Sequence, residues 1–413
     1  MQVKRFITLL VATTVFFLFP TTSFAEDDSL TFPNDSSTYT EEEHQVEAQD
    51  EITEQMDEQL DRLGFSEIET FWEDIRRDYE SFLPESQKAP FTEFLQGEHT
   101  FNPMEWLKAL LSYLFHELTA NIALLGTLIL LAVFSMVLRA LQNAFEHDAV
   151  SKVAYGVTFT VLIVISMNSF YIAMSYAQEA VANMVHFMIS LLPMVLALLA
   201  MTGAATSAAL FHPLIIVLVN TSGLLIERFV LPLLFVSAIV SVVSSMSEKF
   251  QLTRLATLIR NVAMGTLGAF LTIFLATISV QGATSAVHDG VTLRTAKYIA
   301  GNFVPVVGRM FTDATDTVIG ASLLLKNTIG LAGLAILFVI TVFPALKILA
   351  LAITFQITSA IMQPLGGGAL GSVMSLFAKT VMFMFAAVSV VCLMFFLAVT
   401  IIISSGNLAL MVR

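Results

Sequence analysis

Cysteine is nearly absent from this sequence of 413 residues: Cys392 is the single one, and it lies in an apolar run. No intrachain disulfide can form, so any extracytoplasmic part must hold its shape without covalent staples. Charge is scarce too, at 13% of residues against 56% hydrophobic, with a mean hydropathy of +0.80. A soluble core cannot hide that much apolar surface, and the chain reads as an all-α, polytopic membrane protein. No P-loop is present, which excludes ATP hydrolysis by this chain itself. His116-Glu117 opens an H-E-x-x-H pattern, but Ala120 stands where the second histidine belongs. No His, Cys and Asp cluster has metal-ligand spacing, and His186 and His212 are lone histidines in apolar runs. No catalytic residue, metal or cofactor is expected.

The charges that are present are unevenly placed. Residues 26 to 100 hold 23 Asp and Glu against 4 Lys and Arg, a net of −19, whereas 101 to 413 hold 10 against 14, a net of +4. An acidic head precedes a mildly basic membrane part, which argues against nucleic-acid binding.

Residues 1–25 have the layout of a secretory signal peptide: Lys4 and Arg5, an apolar run from Phe6 to Phe19, and Ser23-Phe24-Ala25 as a cleavage site. The run is short for a span of about 20 residues, so cleavage after Ala25 is favoured over an uncleaved anchor. Residues 26–102 then form an acidic extracytoplasmic region. Its leader is polar. A helical period follows through Ile52, Met56, Leu60 and Leu63, and then through Ile68, Phe71, Trp72, Ile75, Tyr79 and Phe82, with Ser66 and Glu69 spaced as a capping box. Asn102-Pro103 with Glu105 starts an interfacial helix over 103–117, with Trp106 and Tyr113 at aromatic-belt level.

The polytopic domain occupies 118–413. Apolar segments fall at about 118–138, 153–177, 180–201, 208–226, 229–247, 262–283, 328–346, 348–364 and 380–404, which predicts seven to nine crossings. Arg139, Lys152, Lys249, Arg254 and Arg260 all fall on the cytoplasmic side of that arrangement, as the positive-inside bias requires. An internal repeat is also suggested. Val153–Gly156 recurs at Val262–Gly265, Leu192–Val195 at Val304–Val307, Asn220–Gly223 at Asn327–Gly330, and Pro232 at Pro344, with offsets of 109, 112, 107 and 112.

The segment 288–327 breaks the apolar pattern, packing Asp289, Arg294, Lys297, Arg309, Asp313, Asp316 and Lys326 into forty residues. Charges inside a bilayer are expensive unless paired or wet, so they concentrate where water, a pore wall or a partner meets them. Arg309, Asp313 and Asp316 share one helical face. The segment is either an amphipathic helix at the membrane surface or a re-entrant one lining a polar passage or a subunit interface. The candidate pore or interface residues are Arg294, Lys297, Arg309, Asp313, Asp316 and Lys326. Gly366, Gly367 and Gly368 satisfy a glycine-rich count without the strand a nucleotide fold needs, and read instead as a helix break.

Several of these stretches carry a family resemblance. LPESQK from Leu83, EWLKALLSYLFHEL from Glu105, Phe211-His212-Pro213, Asn220-Thr221-Ser222-Gly223, TLRTAKYIAGNFVPVVGRMFTDATDTVIGASLLLKNT from Thr292 and QPLGGG from Gln363 resemble stage III sporulation protein AE of endospore-forming bacteria. The resemblance implies a core membrane subunit of the channel or secretion-like complex between mother cell and forespore, required for forespore development and late forespore sigma-factor activity. It implies a place in the mother-cell-derived outer forespore membrane. The implied partners are the other stage III sporulation A-operon proteins, including an ATPase and ring-forming subunits, and a sporulation membrane insertase. It supplies no catalytic residue. The rival readings are a stand-alone secondary solute transporter and a non-conducting membrane scaffold.

Overall fold

The computed structural model describes residues 66–84, 102–144, 149–246, 252–303, 307–364 and 368–411, and every regular element among them is helical. The proposed signal peptide, the acidic leader with its first helical period, and Gly366 and Gly367 lie outside the described residues. In order, the helices are α1 (Ser66–Tyr79), α2 (Pro103–Ala120), α3 (Ile122–Ala144), α4 (Ala149–Met201), α5 (Ala205–Leu225), a π-helical turn (Ile226–Val230), α6 (Leu231–Met246), α7 (Thr253–Phe303), α8 (Val307–Met362) and α9 (Gly368–Met411).

Long rods dominate the architecture. α4, α7 and α9 run one way; the α5–α6 rod and α8 run back between them. α9 occupies the centre, packed against α4, α5, α6, α7 and α8. Its buried face, including Phe377, Val381, Met384, Val388, Val391, Phe395 and Ile402, is mainly apolar, with Thr380 and Ser405 the buried hydroxyls among its described residues. The end where α4 passes to α5 is called the upper end below, and the end where α8 passes to α9 the lower.

Among the described residues, five helical stretches are long and apolar enough to cross a membrane, with a sixth if α2 and α3, bent by 44° at Asn121, act as one broken span. This is fewer than the seven to nine crossings read from hydropathy. The segments 153–177 and 180–201 are one helix, as are 328–346 and 348–364, and 208–226 runs into 229–247 through the π-helical turn. The cause is local. Gln178-Glu179 interrupts the hydropathy among good helix formers with no residue that turns a chain, and at Lys347 the helix carries the nearby Pro344 without breaking. At the third junction the N–H of Leu231 donates to the carbonyl of Ile226, five residues back. Pro232 follows, and its ring would press on the carbonyl four residues before it in a tight helix. The wider turn accommodates it, and the rod continues.

Of the stretches in the suggested repeat, 153–156 lies near the lower end of α4 and 262–265 near that of α7, while 220–223 is on α5 and 327–330 on α8. Leu192–Val195 lies inside α4, whereas residues 304–306 of its counterpart lie outside the described residues.

α1 and α2 dock on the side of the bundle. The apolar stripe of α1 is its buried face, with Ile68, Trp72 and Ile75, and Leu83 just beyond its end, each at 5% exposure or less. Phe71 meets Phe187 of α4 edge-on at 5.3 Å, and Tyr79 stacks on Phe343 of α8 at 4.1 Å. α2 starts as its sequence dictates: the Asn102 side chain accepts from the Met104 N–H at 3.1 Å and donates to Glu105 at 2.9 Å, with Pro103 in the first turn. Trp106 and Tyr113 are buried against Phe338 and Phe343 of α8.

Replacing Trp72 with Ala removes the largest side chain under α1, a change of about 3–5 kcal/mol. Hydrogen exchange should then show α1 losing protection while α4, α8 and α9 keep theirs.

Candidate functional site

Most Ser and Thr hydroxyls in the rods bond the carbonyl of their own helix four residues back, as Thr341, Thr354, Thr358 and Thr400 do. That satisfies them locally and leaves few polar links between helices. Two of those links involve buried charges, and both lie at the upper end within the segment singled out by sequence.

The first is Asp289 on α7, at 1% exposure. Its carboxylate accepts from the backbone N–H of Thr206 at 3.2 Å and of Ser207 at 3.0 Å. These are orphan donors of the first turn of α5. The chain reaches that turn through Gly203 at φ 88, and the residue in the N-cap position, Ala204, makes no side-chain cap. The cap is supplied instead from 83 residues away, where an anion is also favoured by the helix dipole.

The second is Lys326 on α8, fully buried. Its Nζ donates to the carbonyl of Ile403 at 3.0 Å and to Asn407 Oδ1 at 2.9 Å, both on the last turns of α9. Glycines let the backbones close around it. A Cβ on Gly330, one turn along from Lys326, would overlap Ile403, and one on Gly282 of α7 would lie 2.8 Å from Ile401 Cγ2. Among the described residues no carboxylate lies within ion-pair distance of Lys326, and the Ser322 hydroxyl, four residues earlier on the same helix, is buried with no hydrogen-bond partner.

Of the other residues named from sequence, Arg294 and Lys297 are on the upper part of α7, and Arg309, Asp313 and Asp316 are on the first turns of α8. Their side chains lie outside the described residues. Gly368 opens α9 at φ 43, and nearby the Ser359 hydroxyl bonds the Gly371 carbonyl at 2.9 Å, tying α8 to α9.

A second polar zone was not anticipated. Halfway along the rods, Gln178 and Glu179 of α4 face Glu227, Arg228 and Pro232 across a groove of about 630 Å³. At the same level the Lys347 ammonium sits 5.3 Å from the centre of the Tyr176 ring. Tyr79 closes on this zone from α1, where burial, together with the charges of Asp78, Glu179 and Glu117, pushes its phenol up to about 12. The signal was in the sequence, since each of these charges marks a joint between two apolar runs. A hydropathy reading assigns such joints to loops.

Among the described residues no group of three or more His, Cys, Asp or Glu is placed to hold a metal ion.

Asp289→Ala strands the two α5 donors, and the bundle should lose about 1–3 kcal/mol. Asp289→Asn, which keeps an acceptor oxygen, should lose less in the same thermal melt.

A family model described as stage III sporulation protein AE matches residues 86–406. Stage III sporulation protein AE of Bacillus subtilis (strain 168) is 55% identical over 370 residues, spanning 89% of this chain and 93% of that protein. No solved structure matches.

Proposed function

The chain belongs to the stage III sporulation protein AE family, and on that premise we propose that it is a non-enzymatic core membrane subunit of a channel or secretion-like complex joining mother cell and forespore. A sporulation role follows from membership. The finer reading assigns the chain to the mother-cell-derived outer forespore membrane, with residues 1–25 as a signal peptide and the acidic region 26–102 extracytoplasmic. Its partners are the other stage III sporulation A-operon proteins, among them an ATPase and ring-forming subunits, and a membrane insertase. The complex supports forespore development and late forespore sigma-factor activity.

The observation that carries a transport role is Lys326. An ammonium buried in an apolar bundle, held only by neutral acceptors among the described residues, is expensive to keep for packing alone. Apolar residues of similar volume would serve a pure scaffold as well or better. The island Arg294, Lys297, Arg309, Asp313 and Asp316 is on α7 and α8, the latter also carrying Lys326, which supports a polar passage or subunit interface toward the upper end of that pair.

A stand-alone secondary transporter is favoured by the same buried cation, because ionisable groups inside bundles also serve as coupling sites. The two readings differ over the partner ATPase, which a self-sufficient carrier does not need.

Neutralising the pair as Asp313→Asn with Asp316→Asn tests the proposal in sporulating cells. A conduit subunit should still accumulate in the membrane and assemble with its partners, while forespore development and late sigma-factor activity fall by about tenfold or more. A scaffold should tolerate the change or fail to assemble.

A further inference from the structure

The two helices that carry the charged island run on past the rest of the bundle. Asp289 fixes the height of α7, because its carboxylate accepts from the first turn of α5, where the chain turns over from α4. Lys326 fixes that of α8, because its ammonium is held by Ile403 and Asn407 near the end of α9. Yet α7 continues for fourteen residues past Asp289, to Phe303, and at 1.5 Å per residue that is about 21 Å. α8 begins nineteen residues above Lys326, about 28 Å, whereas α9 ends four residues above Asn407, about 6 Å. Among the described residues only α7 and α8 reach that height, so 290–303 and 307–321 stand about 20 Å clear of the upper end. On the α7 arm Val291 is 58% exposed, and Thr292 and Thr295 are exposed as well.

The outermost part of this helix pair carries one sign of charge. Arg294, Lys297 and Arg309 are the charged residues of 290–312, a net of +3, and Asp313 and Asp316 come only nearer the bundle. On α7, Leu293, Ala296, Ala300 and Phe303 recur at helical spacing, and Arg294 and Lys297 share another face. No Asp or Glu follows Asp289 on that helix, so its two cations have no counter-charge along their own arm.

The complementary charge enters from α1. Phe71 meets Phe187 of α4, and Tyr79 stacks on Phe343 of α8. A Cβ on Gly333 would lie 2.7 Å from Leu191 Cδ2, which puts residue 333 of α8 level with residue 191 of α4. α8 descends from there and α4 rises to it, so Phe343 sits lower than Phe187 and the amino end of α1 faces the upper end. The forty residues that precede α1, 26–65, hold 14 Asp and Glu against Arg62 alone, a net of −13. Ser66 stands about 35 Å below the tip of the α7–α8 pair, and forty extended residues reach about 130 Å.

We propose that the acidic leader, residues 26–65 of the same chain, is what covers this cationic tip, its carboxylates lying against Arg294, Lys297 and Arg309. Exposed ion pairs are individually weak. The tether compensates, because an attached segment acts at an effective concentration on the order of millimolar, and fourteen carboxylates offer many equivalent registers. The leader of a second copy brings the same charges without that advantage. The contact clasps the projecting helices to the N-terminal part of the chain and leaves Asp313 and Asp316 to the passage or interface. It goes beyond the conduit reading and holds without it.

Cross-linking of the full chain tests it. In a Cys392→Ala background, Gln45→Cys and Thr295→Cys put one thiol in the leader and one on the tip without removing a charge. A short bismaleimide should join them within one chain, giving a monomer-sized product whose bridged peptides mass spectrometry identifies. Arg294→Glu, Lys297→Glu and Arg309→Glu together should slow that link at least about tenfold, and about 0.5 M salt should do the same by screening. Glu41→Gln, Glu42→Gln, Glu43→Gln and Glu47→Gln together leave the tip intact and should slow it about threefold. Two single-cysteine proteins reconstituted together, one with Gln45→Cys and the other with Thr295→Cys, report contact between copies. A link indifferent to charge and salt is the random collision of a tethered segment and overturns the proposal. A link formed only between copies overturns the assignment to the same chain. Neither result bears on the conduit reading, which the Asp313 and Asp316 variants test separately.

Discussion

A bundle this apolar can hold a polar group only by satisfying it from within, and that constraint explains where its few charges sit. Hydroxyls fold back on their own helices. Among the described residues the two fully buried charges are each spent on a helix end: the Asp289 carboxylate on the first turn of α5, and the Lys326 ammonium on the last turns of α9. In both cases the sign matches the helix dipole, anion at the amino end and cation toward the carboxyl end. The remaining cohesion comes from close packing, which in an apolar solvent replaces the hydrophobic driving force. Gly282 and Gly330 matter for that reason, since a side chain at either would push α7 or α8 away from the stretch of α9 that Lys326 grips.

Rod length is the second consequence. Where short polar interruptions fall between apolar runs, the helix continues, even past Pro232 and Pro344, and the interruption becomes a band around the molecule. Glu179, Glu227, Arg228 and Lys347 form such a band, with Tyr176 under the lysine and Tyr79 closing from outside. α1 thereby joins the N-terminal part of the chain to the middle of α4 and α8, giving that part a mechanical connection to the bundle.

Much of this was legible in the residues. The apolar stripe from Ile68 to Phe82, the Asn102 cap with Pro103, and the helical character of the apolar runs follow from period and cap chemistry alone. The break around Gly203 sat in a small-residue run that equally suits tight packing. What replaces its missing cap comes from Asp289, a contact no local window contains. The number of rods was misread because hydropathy registers Gln178-Glu179 as a boundary, whereas helix propensity does not. Lys326 was singled out for its charge, but its acceptors, Ile403 and Asn407, lie across the bundle and could not be named from spacing.

The central claim is that Lys326 is retained for what passes or docks at the upper end and is dispensable to the fold. Methionine has a similar volume, and exchanging a buried charge for a matched apolar group is often neutral or stabilising. The decisive measurement is therefore spore yield together with the amount of membrane-embedded protein in a Lys326→Met strain. The account predicts protein at the unmodified level with forespores that fail to mature. Normal spores at that protein level would contradict it.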